Sequence, residues 1–143
     1  MIHRRLRTLV ALELVNIPLF GWVFLVLPDR AATVPDLVGF AMFALLLVQG
    51  AAYWTAKLRQ TGRTLPGRAF FRAARLINPA LLVVALAFTV IAGSWLGAGF
   101  TVFAILEHVN YFHTQLMHDT RADLRRLRTR GLRRSHLARD LAP

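Results

Sequence analysis

Apolar residues occur in long unbroken runs along this chain and do not alternate with polar ones. A run of about 20 such residues is long enough to cross a bilayer as a helix. Four are readable, at roughly 8–27 (closed by Pro28), 36–57, 79–95 and 97–117. The pattern predicts an all-α membrane protein, with a four-transmembrane-helix bundle over residues 1–118 and a basic tail over 119–143. Asn78-Pro79 reads as an N-cap followed by proline in the first turn of the third span. The uncharged stretch Gly93-Ser94-Trp95-Leu96-Gly97 reads as a tight hairpin between the third and fourth spans, with Trp95 as an interfacial anchor. The Gly93/Gly97 spacing is that of a helix-packing motif, but it falls in the turn and carries little weight there.

Composition agrees with the pattern: 56% of the 143 residues are hydrophobic and the mean hydropathy is +0.48. Cysteine is absent, which removes disulfides, thiol redox chemistry and Cys-ligated metal. The net charge of +11 is informative through its placement. Arg4, Arg5 and Arg7 precede the first span; Lys57, Arg59, Arg63, Arg68, Arg72 and Arg75 separate the second from the third; eight arginines follow the fourth, from Arg121 to Arg139. Arg30 alone lies on the other side. Basic short loops stay cytoplasmic, so both termini are expected inside the inner (plasma) membrane. The same placement argues against nucleic acid as a partner, because the basic segments flank lipid-embedded helices. A cleaved leader is not expected, since the first run is too long, holds Glu13 and Asn16, and lacks an A-x-A site.

In the tail, Leu124 and Leu127 share a helical face, Gly131 interrupts, and Leu137 and Leu141 lie one turn apart. This predicts a basic amphipathic C-terminal helix, in two short pieces, on anionic lipid head groups, at about 1 kcal/mol per arginine near the surface. A solvated tail that only fixes topology is the alternative. Phe70 and Phe71 among Arg68, Arg72 and Arg75 suggest a similar interfacial stretch before the third span.

Polar groups at bilayer depth are costly and normally face a bundle interior or a wet cavity. At ~1.5 Å per residue, Asn16, Gln49 and Asn110 fall at matching heights, roughly 12 Å from their cytoplasmic helix ends. Glu13, Tyr53, His113 and Thr114 form a shallower layer, and Glu107 lies deeper, sharing a stripe with Tyr111, Thr114 and His118. The expected polar cluster is therefore Glu13, Asn16, Gln49, Tyr53, Glu107, Asn110, Tyr111, His113 and Thr114. Within it, Glu107 is expected to meet Gln49 or Asn16, and Glu13 to meet Tyr53, His113 or Thr114. Glu13-Leu14-Val15-Asn16 and Glu107-His108-Val109-Asn110 share an E-x-V-N pattern, too short to mark a repeat.

No metal or cofactor is expected. Bis-His haem ligation needs histidine on two helices, and here the span histidines lie only on the fourth. A carboxylate-bridged di-metal site needs about four carboxylates with E-x-x-H spacing, and this chain has two glutamates and E-x-x-N. The expected function is a small membrane protein using its Glu/Asn/His layer for proton- or cation-coupled transport, or as an accessory subunit. It would act as a homo-oligomer or beside a larger membrane partner. The layout, four short spans with a glutamate in the first, is similar to that of small multidrug transporters, but the one-sided charge bias departs from the weak bias their antiparallel dimers need. Purely structural polar packing is one alternative. An enzyme acting on lipid or isoprenoid head groups is another, but no phosphate-cradling glycine loop, D-x-x-x-D pair or serine nucleophile context supports it.

Overall fold

The computed structural model describes residues 2–26, 29–62, 64–116 and 132–142. The end of the first run at Pro28, the Leu124/Leu127 piece of the tail and His118 lie outside these residues. Helix α1 (Ile2–Gly21) runs into a π-helical turn at Trp22–Val26; α2 spans Val34–Arg59, α3 Arg68–Ile91, α4 Trp95–Phe112, and a short α5 His136–Asp140. Among the described residues the only β feature is an isolated bridge between Thr114 and Arg134. Three stretches, His3–Val26, Val34–Arg59 and Arg68–Ile91, are long and apolar enough to cross a membrane. Helix α4 has 18 residues and carries Glu107, His108 and Asn110 in its second half, which dilutes its apolar character.

Helix α2 is the centre, with α1, α3 and α4 packed around it. Its start is fixed by a capping box: Asp36 N–H donates to Thr33 Oγ1 (3.5 Å) and Thr33 N–H to Asp36 Oδ2 (2.9 Å), with Pro35 in the first turn, where a missing N–H costs nothing. Asp36 also accepts from Arg30 Nη1 (2.8 Å) and Ser94 Oγ (2.6 Å), and Ser94 caps α4 by accepting from Gly97 N–H (2.8 Å). One carboxylate, 1% exposed, thus joins the starts of α2 and α4. There the two helices cross at Gly39 and Gly97. A Cβ on Gly39 would overlap the Gly97 backbone, and one on Gly97 would overlap the carbonyl of Pro35. Gly97 therefore works as a helix-packing position after all, against α2 and not through Gly93.

Helix α3 differs from the sequence expectation of a span over 79–95. It begins at Arg68, after Gly67 in the left-handed region (φ 73°), and contains Asn78 and Pro79 in its interior. Its buried positions, Phe71, Ala74, Asn78, Leu82, Ala85 and Thr89, recur every three or four residues and form one stripe. Asn78 does not cap a helix; its side chain is committed to Gln49. The Phe70/Phe71 stretch is the first turn of α3, with Phe71 buried and Phe70 half exposed. Helices α3 and α4 are joined through Gly93 (φ 69°), with Trp95 fully in the open at 88% exposure.

Helix α1 is peripheral. Its apolar window has no buried residue, and Ile17 and Phe20 pack only partly onto the core. Phe20, Phe24, Phe40, Phe43 and Phe100 join α1, α2 and α4 through ring contacts of 5.3–6.4 Å. Pro18 lies inside α1 and cannot donate to the carbonyl of Leu14; the helix loosens into its π turn four residues later.

Residues 132–142 are not a free surface tail. Leu137, Ala138 and Leu141 are 2%, 1% and 5% exposed, tucked against the helix ends. Asp140 binds Lys57 Nζ (2.8 and 3.0 Å) and accepts from Tyr53 Oη (2.7 Å). Arg68 donates to the carbonyls of Leu141 and Ala142. This segment straps the end of the bundle that holds the α1 N-terminus, and Leu137 and Leu141 meet protein where lipid contact was expected; Leu132 stays exposed.

Candidate functional site: an acid–phenol cluster under a cleft

Leu6, Leu9, Glu13, Ile17 and Phe20 lie three or four positions apart, so α1 turns one face inward. On this face the Glu13 carboxylate accepts a hydrogen bond from Tyr111 Oη of α4. The Glu107 carboxylate lies one turn earlier on α4, close enough to both groups to act on them electrostatically. Asn110 Nδ2 donates to Glu107 Oε2 (3.4 Å), while Asn110 Oδ1 accepts from Leu116 N–H (2.8 Å). Two carboxyls from distant parts of the chain thus meet around one phenol. Tyr111 is 6% exposed and fits because α2 has no side chain beneath it: a Cβ on Gly50 would overlap the Tyr111 hydroxyl.

The remaining residues of the expected cluster divide among other contacts. Gln49 faces α3, exchanging two amide hydrogen bonds with Asn78 (2.7 and 3.3 Å); it does not meet Glu107. Tyr53 bonds Asp140 of the strap and not Glu13. Asn16 makes no side-chain hydrogen bond to a described residue, Glu107 included. His113 is the C-cap of α4; its carbonyl accepts from Ser135 N–H (3.1 Å), and its ring lies edge-on to His108 (5.4 Å). Thr114 pairs with Arg134 in the isolated bridge. Neither His113 nor Thr114 is a partner of Glu13. His108 is 5% exposed, stacked on Phe112 at 4.8 Å, and neither ring nitrogen has a hydrogen-bond partner among the described residues. Rotation about each helix axis, which the spacing of polar residues does not give, decides who meets whom.

A cleft of about 390 Å³ opens above the acid pair. Helix α1 supplies Arg5, Leu6, Leu9 and Glu13, and the end of α2 supplies Tyr53 and Trp54. Asn110, Tyr111 and Gln115 line it as well, and the strap adds Arg133, Ser135, His136 and Leu137. Ser135 Oγ caps α5 by accepting from Ala138 N–H (3.1 Å) and itself donates to the Tyr111 carbonyl. Partial desolvation, and then Arg139 and Arg133, hold the His136 pKa below its ordinary value, so this imidazole is neutral at neutral pH.

Sequence reasoning overlooked Asn78, Asp140, Ser135, Trp54 and Gly50. A polar pair at matching depth, Gln49 with Asn78, was a usable signal once α3 is started at Arg68. Among the described residues no group of three or more His, Asp or Glu side chains is placed to hold a metal ion. No protein-family model, no curated protein and no solved structure matches the chain.

Proposed function

We propose that the chain is a four-span integral protein of the inner membrane, with both termini cytoplasmic, whose Glu13–Tyr111–Glu107 cluster exchanges protons in a cation- or proton-coupled carrier or an accessory subunit of one. Helix α4 serves as the fourth span: its 18 residues reach ~27 Å, close to the ~30 Å hydrocarbon core. Every Lys and Arg except Arg30 then falls on the cytoplasmic side, as the positive-inside rule requires. The observation that carries the functional reading is the Tyr111 hydroxyl bonded to the Glu13 carboxyl with a second carboxyl, Glu107, beside it. Structural packing alone is served well by neutral amides, as Gln49 and Asn78 show on the neighbouring face of α2. Two carboxyls beside one phenol form a run of groups that can pass a proton by exchanging donor and acceptor, and the cleft gives that run access from the cytoplasm.

The test is infrared titration of the full-length protein in lipid. One component of the pH-dependent protonated-carboxyl stretch should be lost in Glu13→Gln and shift in Tyr111→Phe. A spectrum unchanged by both substitutions would leave polar packing in a membrane scaffold as the correct reading. Because the chain has no cysteine, single replacements report topology directly. Gly62→Cys should react with an impermeant thiol reagent from the cytoplasmic side only, and Ala31→Cys from the outer side only.

A further inference from the structure

We propose that the cleft binds a single-chain phosphate amphiphile, with its phosphate between Arg5 and Arg133 and its apolar part against Leu6, Leu9 and Trp54. Along α1 the lining runs from Arg5 through Leu6 and Leu9 to Glu13. Arg5 stands at the start of α1 and Arg133 on the strap, and neither guanidinium is in an ion pair with a described residue. Two guanidiniums lining one cleft suit an oxyanion with several acceptor oxygens, since guanidinium matches phosphate in bidentate geometry. Leu6, Leu9 and Trp54 form an apolar belt beside them. Glu13, eight residues beyond Arg5, ends that belt ~12 Å down the helix. A volume of about 390 Å³ is in the range of pockets that enclose small ligands. The order of charge and belt along α1 is the order an amphiphile presents when it enters from the cytoplasmic interface with its chain pointing inward. The Glu13 carboxyl at the end of the belt limits the apolar part to a short chain. Helix α1 has no buried residue in its apolar window, which leaves room for it to yield as the chain enters.

This assignment rests on the cleft opening at the cytoplasmic interface, which the Gly62→Cys and Ala31→Cys labelling checks separately; proton exchange at Glu13 is not required for it. The experiment uses full-length protein in phosphatidylcholine nanodiscs and reads tryptophan fluorescence. Trp54 lines the cleft, whereas Trp22 and Trp95 stand at the opposite end. Octyl phosphate should give a saturable change that is absent in Trp54→Phe. The double variant Arg5→Gln/Arg133→Gln should weaken it about tenfold or more, the loss of at least one charge-assisted contact. Octyltrimethylammonium binding more tightly than octyl phosphate would overturn the proposal. So would inorganic phosphate binding as tightly as octyl phosphate, which would reduce the site to a free-phosphate pocket. A signal that persists in Trp54→Phe would place binding elsewhere and equally refute it.

Discussion

Tyr111 on α4 lies directly over Gly50 on α2, and the absence of a side chain at position 50 is what allows the phenol to reach Glu13. Gly50→Ala should therefore displace the ring and lower stability by about 1–3 kcal/mol, the usual cost of overpacking a filled site. Tyr111→Leu removes both the overlapping hydroxyl and the ring carbon that bears it. In a double-mutant cycle read by thermal unfolding in detergent, Gly50→Ala should cost less in the Tyr111→Leu background than in the parent. Strict additivity would show that the two residues do not compete for space.

Gln49 and Asn78 satisfy each other's amides inside the α2–α3 contact. Replacing Gln49 alone by leucine leaves Asn78 unpaired and should cost about 1–3 kcal/mol. Replacing both by leucine should recover most of that loss, because no buried polar group is then left without a partner. Chemical denaturation in a fixed detergent measures the cycle; a double variant worse than the sum of the singles would contradict the pairing.

The glycines of α2 and α4 are not equivalent. At Gly39 an added methyl would overlap the Gly97 backbone, which has no flexible end that can move aside, whereas at Gly99 it would meet open space. Gly39→Ala should separate the two helices and sharply lower the yield of folded protein. Gly99→Ala should be neutral or stabilising by up to about 1 kcal/mol, since alanine replaces glycine within a helix. Size-exclusion profiles and melting temperatures of the two variants make the comparison; equal behaviour would be inconsistent with the crossing described.

The strap should loosen as pH falls. His136 has a folded pKa below its unfolded value, so below about 6.5 the undocked segment binds more protons than the docked one. The contribution of the neutral imidazole is intact above that pH and declines as pH drops toward the folded pKa. His136→Gln should remove this part of the pH dependence while leaving docking at neutral pH. Hydrogen exchange over residues 132–142 is the measurement, and protection that is flat through this window in the parent would refute the assignment. Asp140→Asn, which weakens the contact to Lys57, should increase exchange in the same residues at all these pH values.

Much of the architecture is legible in the order of residues, because burial in apolar surroundings demands continuous apolar runs. The limits of α2 follow from Thr33, Pro35 and Asp36 at one end and Lys57 and Arg59 at the other, all local signals. The start of α3 differs from the Asn78-Pro79 expectation for a physical reason. Asn followed by Pro marks a helix start when the Asn side chain turns back to its own backbone, and here that side chain is claimed by Gln49, 29 positions away. The end of α4 was placed five residues too far, at Met117; the chain leaves the helix after Phe112, where Asn110 takes the Leu116 amide and Ser135 takes the backbone of His113. The carboxyls were recognisable as a pair worth attention, yet their meeting at Tyr111 depends on a missing side chain in a third helix, which no periodicity encodes. The spacing of Leu137 and Leu141 announced a helical turn but carried no information on whether lipid or protein would cover it.

The hydrogen bond from Ser135 to the Tyr111 carbonyl has a practical corollary for anyone labelling this molecule. A reporter joined at residue 143 would pull on a segment that grips the backbone of the very residue whose ring holds Glu13, so a handle placed there would disturb the acid pair it was meant to observe. Gly62, exposed and with open space where a side chain would start, is the safer attachment point.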